Sequence, residues 1–442
     1  MLWAKRLISS FYFLLFIFVP LVWLSNTSEL FEFNKLILTY VLTTLIVGTW
    51  AIRCIIEKKF IFKRTLLDWP ILLFLFSNFI SLVFSIDPHT SWFGYYSRWN
   101  GGLLSLLSYS FLYWAFVSNM SRDAAVLSAK CLVLSDIPVA IYGSLEHFGF
   151  SISCLLTTDS FNVSCWVQDV QNRVFATLGQ PNWLAAYLVA LIWIPISKTF
   201  KKFSLPYFLI SIILFLTLLF TKSRSGLLAF GISSLVFWGT PLLFPPKLGG
   251  NQKGVIKNFI ILNSLFLILV ILVPNPIRDL VLKTNDQQPK TNQGPALETG
   301  GTESGEIRKI VWTGALRIWQ ANPNNFLIGT GPETFAQAYY QYRPLEHNQT
   351  SEWELLYNKA HNEFLNYLAT TGILGLGSYL ILLFFMLKSF RRSQIALLAG
   401  WITISITNFW GFSVVIMQLL LFLLPAIATV IEDGEQSRIH DK

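Results

Sequence analysis

The stretch KAHNEFLNYLATTGILGLGSYL, Lys359 to Leu380, decides how this chain is organised. Its second half is a strongly apolar run. Ahead of it, Pro274 to Asn358 form a long segment rich in Asn, Gln, Gly and Pro, too polar to enter a bilayer, where every backbone group must be satisfied internally. His361 therefore sits where a membrane helix is expected to begin. The rest of the sequence reads as a membrane scaffold for the polar segment.

Composition sets the same frame. Of 442 residues, 53% are hydrophobic, 16% aromatic and only 13% charged, with a mean hydropathy of +0.53. A soluble chain carries roughly 25% charged residues. Apolar runs near the spanning length recur throughout, at 7–24, 35–55, 66–85, 102–119, 124–147, 182–197, 203–221, 225–244, 256–273, 361–387, 394–411 and 413–431. The first follows Lys5 and Arg6 but has no small-residue cleavage site, so it is read as a helix and not as a signal peptide.

The expected fold is an all-α polytopic membrane protein of about twelve helices. Residues 1–273 form a bundle of about nine helices with an outer loop at 148–181. Residues 274–360 form an extracytoplasmic loop containing short amphipathic helices, 361–431 add three more spans, and 432–442 form a cytoplasmic tail. With the amino terminus inside, Lys58, Lys59, Lys198, Lys201, Lys202, Lys388 and Arg391 fall on the inner side, as the positive-inside rule requires. The outer basic residues concentrate in the loops that carry unusual motifs. The net charge of +9 thus divides between topology signals and an outer cluster and gives no reason to expect nucleic acid. Residues 284–305 read as a flexible insert.

Cys154 and Cys165 share the 148–181 loop, where an oxidising exterior would permit a disulfide or leave two free thiols. No His or Cys spacing suggests a metal centre. There is also no Asp-x-Asp pair of the kind that holds a metal-bound nucleotide-sugar. Instead the outer face offers arginine. Arg224 lies in TKSRSG, a short tip between two apolar runs, where Ser223 or Ser225 can cap the next helix and set the guanidinium beside free backbone N–H groups. Simple snorkelling of a helix-end Arg predicts the same placement.

Arg317 lies in EIRKIVWTGALRIWQANP, whose interleaved apolar residues read as an amphipathic helix on the membrane. Arg98 in YYSRWNGG and Arg173, ahead of GQPNW with its Asn182, extend the basic cluster. In GTGPETF, Gly329 and Gly331 allow a tight turn, and Pro332 suits the start of a short helix through Tyr339, Tyr340 and Tyr342. His361 can accept a proton near neutral pH, and Asn362 and Glu363 beside it are candidates to support such a group. Lys130 and Asp136 lie within the fifth span, six residues apart and poorly aligned with each other.

Together these blocks resemble the O-antigen ligase and polymerase superfamily of bacterial envelope enzymes. The resemblance is carried by YYSRWNGG (95–102), LGQPNWLAAYL (178–188), TKSRSG (221–226), RIWQANPNNFLIGTGPETF (317–335) and above all AHNEFLNYLATTGILGL (360–376). It implies a bundle akin to membrane glycosyltransferases that use lipid-linked donors, in the bacterial cytoplasmic membrane with the active site facing outward. It further implies that Arg224 and Arg317 grip the pyrophosphate of an undecaprenyl-linked glycan while His361 serves the acceptor hydroxyl, with no metal or other cofactor. A ligase acting on a lipid or other envelope acceptor is the first expectation. A polymerase or a protein O-oligosaccharyltransferase is the alternative within the family, and a transporter the alternative outside it.

Overall fold

The computed structural model describes residues 2–27, 29–243, 252–282, 304–391 and 394–440. Among them every regular element is helical and no strand occurs. In chain order these are α1 (Leu2–Phe18), α2 (Glu32–Ile56), α3 (Asp68–Val83), α4 (Pro88–Phe93), α5 (Leu103–Asn119) and α6 (Arg122–His147). The outer loop contains α7 (Ile152–Thr158), and α8 (Pro181–Lys201), α9 (Leu205–Phe220), α10 (Arg224–Leu243) and α11 (Gln252–Leu272) follow. The polar segment holds α12 (Pro276–Leu282), α13 (Ser304–Gln320), α14 (Pro323–Ile328) and α15 (Phe335–Tyr342). The chain closes with α16 (Glu363–Lys388), α17 (Ile395–Phe409) and α18 (Val415–His440).

A helix coincides with each of the twelve expected runs, but length and hydropathy qualify fewer of them to cross a bilayer. Among the described residues five do so by length and composition: α2, α6, α8, α16 and α18. The α11–α12 pair makes a sixth if its arms, bent by 75°, are one span. Helices α3, α5, α9 and α17 are apolar but shorter. At 1.5 Å per residue, the 16 residues of α3 reach about 24 Å, less than the roughly 30 Å hydrocarbon thickness. Most of the expected insert at 284–305 lies outside the described residues.

The core is organised by α18 and α8, which pack on their neighbours nearly all round. Such helices are apolar on every face because no side of them meets water. Helix α18 lies against α5 and α6, while α8 contacts α9, α10 and α17. Trp401 Nε1 donates to Leu421 O at 3.2 Å, and the Gln394 amide donates to Ala428 O at 2.7 Å, fixing α17 against α18.

The polar segment folds back onto the bundle. In α13, Ile307, Val311, Ala315 and Ile318 are buried at helical spacing and pack with Phe335, Tyr339 and Ala369. Sequence periodicity located this stripe, but it faces α15 and α16 and not lipid, which corrects the expectation of a helix lying on the membrane. Helix α15 also begins later than expected, at Phe335 and not at Pro332. The crossing between α14 and α16 needs glycine on both sides. A Cβ on Gly329 would sit 2.2 Å from Thr370 C, and one on Gly372 would sit 2.4 Å from Leu327 C, and both residues have positive φ. Gly372 breaks α16 there, and Gly331 N donates to Thr370 O at 2.8 Å across the break.

Candidate active site

Three separated motifs meet at one buried ion pair. Lys359, just ahead of α16, pairs with Glu333 of GTGPETF, and both side chains are nearly inaccessible to solvent. Gly101 of YYSRWNGG lies against the same carboxylate, so closely that a Cβ there would sit 2.1 Å from Glu333 Oε1. A charge removed from water demands a partner, so this pair ties the three segments in one arrangement.

The loop between α17 and α18 supplies the next layer. The Glu363 carboxylate accepts from Ser413 N at 3.3 Å, and the buried Glu32 carboxylate accepts from Val415 N at 2.7 Å. Immediately ahead of those two anchored amides stands Phe412. Its ring lies 5.3 Å from the His361 ring, 5.8 Å from the Trp183 ring and 5.1 Å from the Arg98 guanidinium carbon. Arg98 is also 5.1 Å from the centre of Trp183, so its guanidinium contacts two aromatic rings, and its Nη1 is buried without a hydrogen-bond partner.

His361 precedes α16 with a φ of +52°, a conformation uncommon for a residue with a side chain. Asn362 caps α16 by accepting from Leu365 N at 3.0 Å, which accounts for its place in the motif. Glu363 lies behind the imidazole as an anchor for the 410–414 loop. Burial, then the Arg308 and Arg98 charges, lower the His361 pKa from its ordinary value to about 4. The imidazole is therefore neutral at physiological pH and able to accept a proton.

TKSRSG folds as a capped helix start. Ser223 Oγ accepts from Gly226 N at 3.1 Å and donates to Asn182 Oδ1 at 2.7 Å, joining this tip to GQPNW. Arg224 becomes the first residue of α10. Nearby, Arg173 Nε donates to Thr221 O at 3.4 Å, and Glu146 fixes the approach by accepting from Phe175 N and Ala176 N at 3.0 and 2.7 Å. The disulfide between Cys154 and Cys165, with Cα atoms 5.5 Å apart, closes part of the same outer loop.

Two open cavities meet over these residues. One, of about 500 Å³, is lined by Arg98, Arg173, Asn182, Arg308, Tyr357 and His361, with Glu352, Leu355 and Leu356 on its wall. The other, of about 670 Å³, is lined by Arg173, Asn182, Lys222, Arg224, Arg308 and Trp410. Arg173, Asn182 and Arg308 belong to both, so they stand where the cavities join. Burial, followed by the neighbouring Arg224 charge, lowers the Arg173 pKa. The Arg308 pKa is lowered by burial, with Arg173 acting in the same direction. Cations gathered this way, with no described carboxylate paired to Arg173, Arg224 or Arg308, form a ready site for a multiply charged anion.

Of the residues expected from sequence, the structure brings Arg98, Arg173, Asn182, Arg224 and His361 around these cavities. Arg317 does not join them. It is exposed and lines neither cavity. Nine residues of helix turn about 900°, so Arg317 lies roughly half a turn from Arg308 on α13. The α13 arginine that lines the cavities is Arg308, which the sequence motifs alone do not single out.

Residues 209–380 match the family model described as O-antigen ligase. Over that segment the chain is similar to the O-antigen ligase family. The matched segment carries Arg224, Arg308 and His361, whereas Arg98, Arg173 and Asn182 come from the sequence preceding it. No curated protein matches the chain.

Proposed function

We propose that this protein, similar over residues 209–380 to the O-antigen ligase family, is an inverting glycosyltransferase that moves a glycan from undecaprenyl pyrophosphate to an acceptor hydroxyl at the outer face of the cytoplasmic membrane. The observation that carries this reading is the convergence of Arg173, Arg224 and Arg308 beside a neutral His361 at two joined cavities. In it the donor pyrophosphate occupies the junction, held by these arginines. The acceptor occupies the His361 side, between Tyr357, Glu352 and Arg98.

The acceptor oxygen attacks the anomeric carbon as its proton passes to the His361 imidazole. The new oxygen–carbon bond forms while the bond to the pyrophosphate oxygen breaks, and that oxygen keeps the electron pair. Negative charge grows on the leaving group, where preplaced guanidinium groups meet it without reorganising. Single displacement inverts the anomeric centre. This scheme draws on arginine for the charge stabilisation that a cation supplies elsewhere, and the donor anion itself draws His361 back toward a useful basicity by offsetting Arg308 and Arg98.

Reconstitution with a lipid-linked glycan and separate acceptors tests the reading. Glycan appearing on a lipid or other envelope acceptor supports the ligase, elongation of a second lipid-linked chain makes it a polymerase, and modification of protein Ser or Thr makes it an oligosaccharyltransferase. Unchanged donor with every acceptor, from protein that binds the donor, would overturn the transferase reading.

A further inference from the structure

At the end of the bundle away from His361 lies a third cavity, of about 460 Å³, between α6, α8, α9 and α17. Helices α6 and α8 fix its location. The opposite end of α8 reaches the candidate active site through Asn182, and that of α6 meets the outer loop that carries Arg173, where His147 Nδ1 pairs with Gln171 O at 2.9 Å. The cavity has a polarity gradient. Arg122 and Lys198 stand toward the helix ends, and Lys130 lies about 12 Å along α6 from Arg122 at 1.5 Å per residue. Deeper still the walls are apolar, formed by Leu134, Ile137, Ile194 and Ile210.

Lys130 is the informative residue. It sits inside an apolar span, is exposed to this cavity, and has no carboxylate partner among the described residues. Asp136, which shares the span, does not serve it: six residues place it about 240° round the helix, where it is fully buried near Tyr187. At the end of α18, Asp433 pairs with Lys63 and Glu432 with Arg391 at 3.7 Å. An ammonium group at this depth is costly unless an anion meets it.

We propose that this groove binds an anionic phospholipid, its phosphate against Lys130, Lys198 and Arg122 and its acyl chains along Leu134, Ile137 and Ile210. Cations above apolar walls match a lipid, in which charge and hydrocarbon are joined at a fixed separation. A free phosphate would use only the upper half. The site is separate from the candidate active site and stands whether or not the glycosyltransferase reading does.

The test is native mass spectrometry of the full chain in detergent, with thermal melting alongside, after adding phosphatidylglycerol, phosphatidylcholine or glycerol 3-phosphate. Phosphatidylglycerol should be retained and raise the melting temperature, phosphatidylcholine should do so at least about tenfold less well, and glycerol 3-phosphate should have no effect. Lys130→Glu should abolish the preference, Lys130→Arg should keep it, and Lys130→Gln carries the test if the glutamate variant does not fold. Equal retention of the two lipids, a full effect from glycerol 3-phosphate, or an unchanged preference in both charge-removing variants would each overturn the proposal.

Discussion

Exchanging the two arginines of α13 for lysine, one at a time, separates the residue that lines the cavities from the one that does not. Arg308→Lys keeps a positive charge but loses the planar fork that holds two phosphate oxygens together. A hydrogen bond to a charged group contributes about 1.5 to 3 kcal/mol, and the open cavity, which admits water, places the loss at the lower end. About 1.5 kcal/mol corresponds to roughly a tenfold weakening of donor binding and of kcat/KM. Arg317→Lys changes an exposed residue that lines neither cavity, and such changes fall within about 0.5 kcal/mol, or little more than a twofold effect. The assay is donor binding and product formation by both purified variants, matched for folded protein. If Arg317→Lys loses as much as Arg308→Lys or more, the assignment of Arg308 to the pyrophosphate is wrong, since expression and charge are matched between them.

The pH profile carries a second expectation. With the His361 pKa lowered to about 4, the imidazole stays neutral as pH falls from 7 to about 5 and is protonated only as pH drops through about 4. The acid limb of kcat/KM should therefore lie well below the ordinary histidine value, and Arg308→Gln should move it upward by removing a positive neighbour. A limb near 6.5 that Arg308→Gln leaves unmoved would contradict His361 as the base. Phe412→Leu removes the ring against both His361 and Arg98, so turnover should fall about tenfold with donor binding less affected, and Phe412→Tyr should restore most of it. Equal losses in Phe412→Leu and Phe412→Tyr would show that the ring is not what matters. Replacing Cys154 and Cys165 by serine should lower thermal stability by about 2 to 3 kcal/mol through the freed outer loop, with transfer reduced only modestly because Arg173 keeps its contact with Thr221. Thermal melting and non-reducing mass mapping of the purified protein check this, and an unchanged melting temperature would remove the bridge as a stabilising element.

How far the site could be read from sequence depended on whether each residue's role is set locally. Ser223, Arg224 and Gly226 act within one helix start, and a Ser followed by a short polar tip announces that start by itself. His361 and Asn362 were legible for the same reason, since a polar pair ahead of an apolar run marks a helix boundary. The Glu333–Lys359 pair and the role of Phe412 were not legible, because each joins segments far apart in the chain and nothing local in their sequences says what they face. The sequence places a helix at each apolar run but leaves open which runs cross the bilayer, because hydropathy alone does not separate helices of 10–17 residues from longer spans.

The arginines of α13 mark the boundary most clearly. Its buried stripe of Ile307, Val311, Ala315 and Ile318 is legible from spacing, and Arg308 and Arg317 flank that stripe on opposite sides. Periodicity therefore narrows the choice to two flanks and then stops. One flank meets the cavities only because α13 packs on α16 along this stripe with a particular direction, a direction set partly by the crossing at Gly329 and Gly372. Reversing α13 against the same stripe would present Arg317 instead. Which flank of α13 meets the cavities is thus set in part by two glycines that line neither cavity.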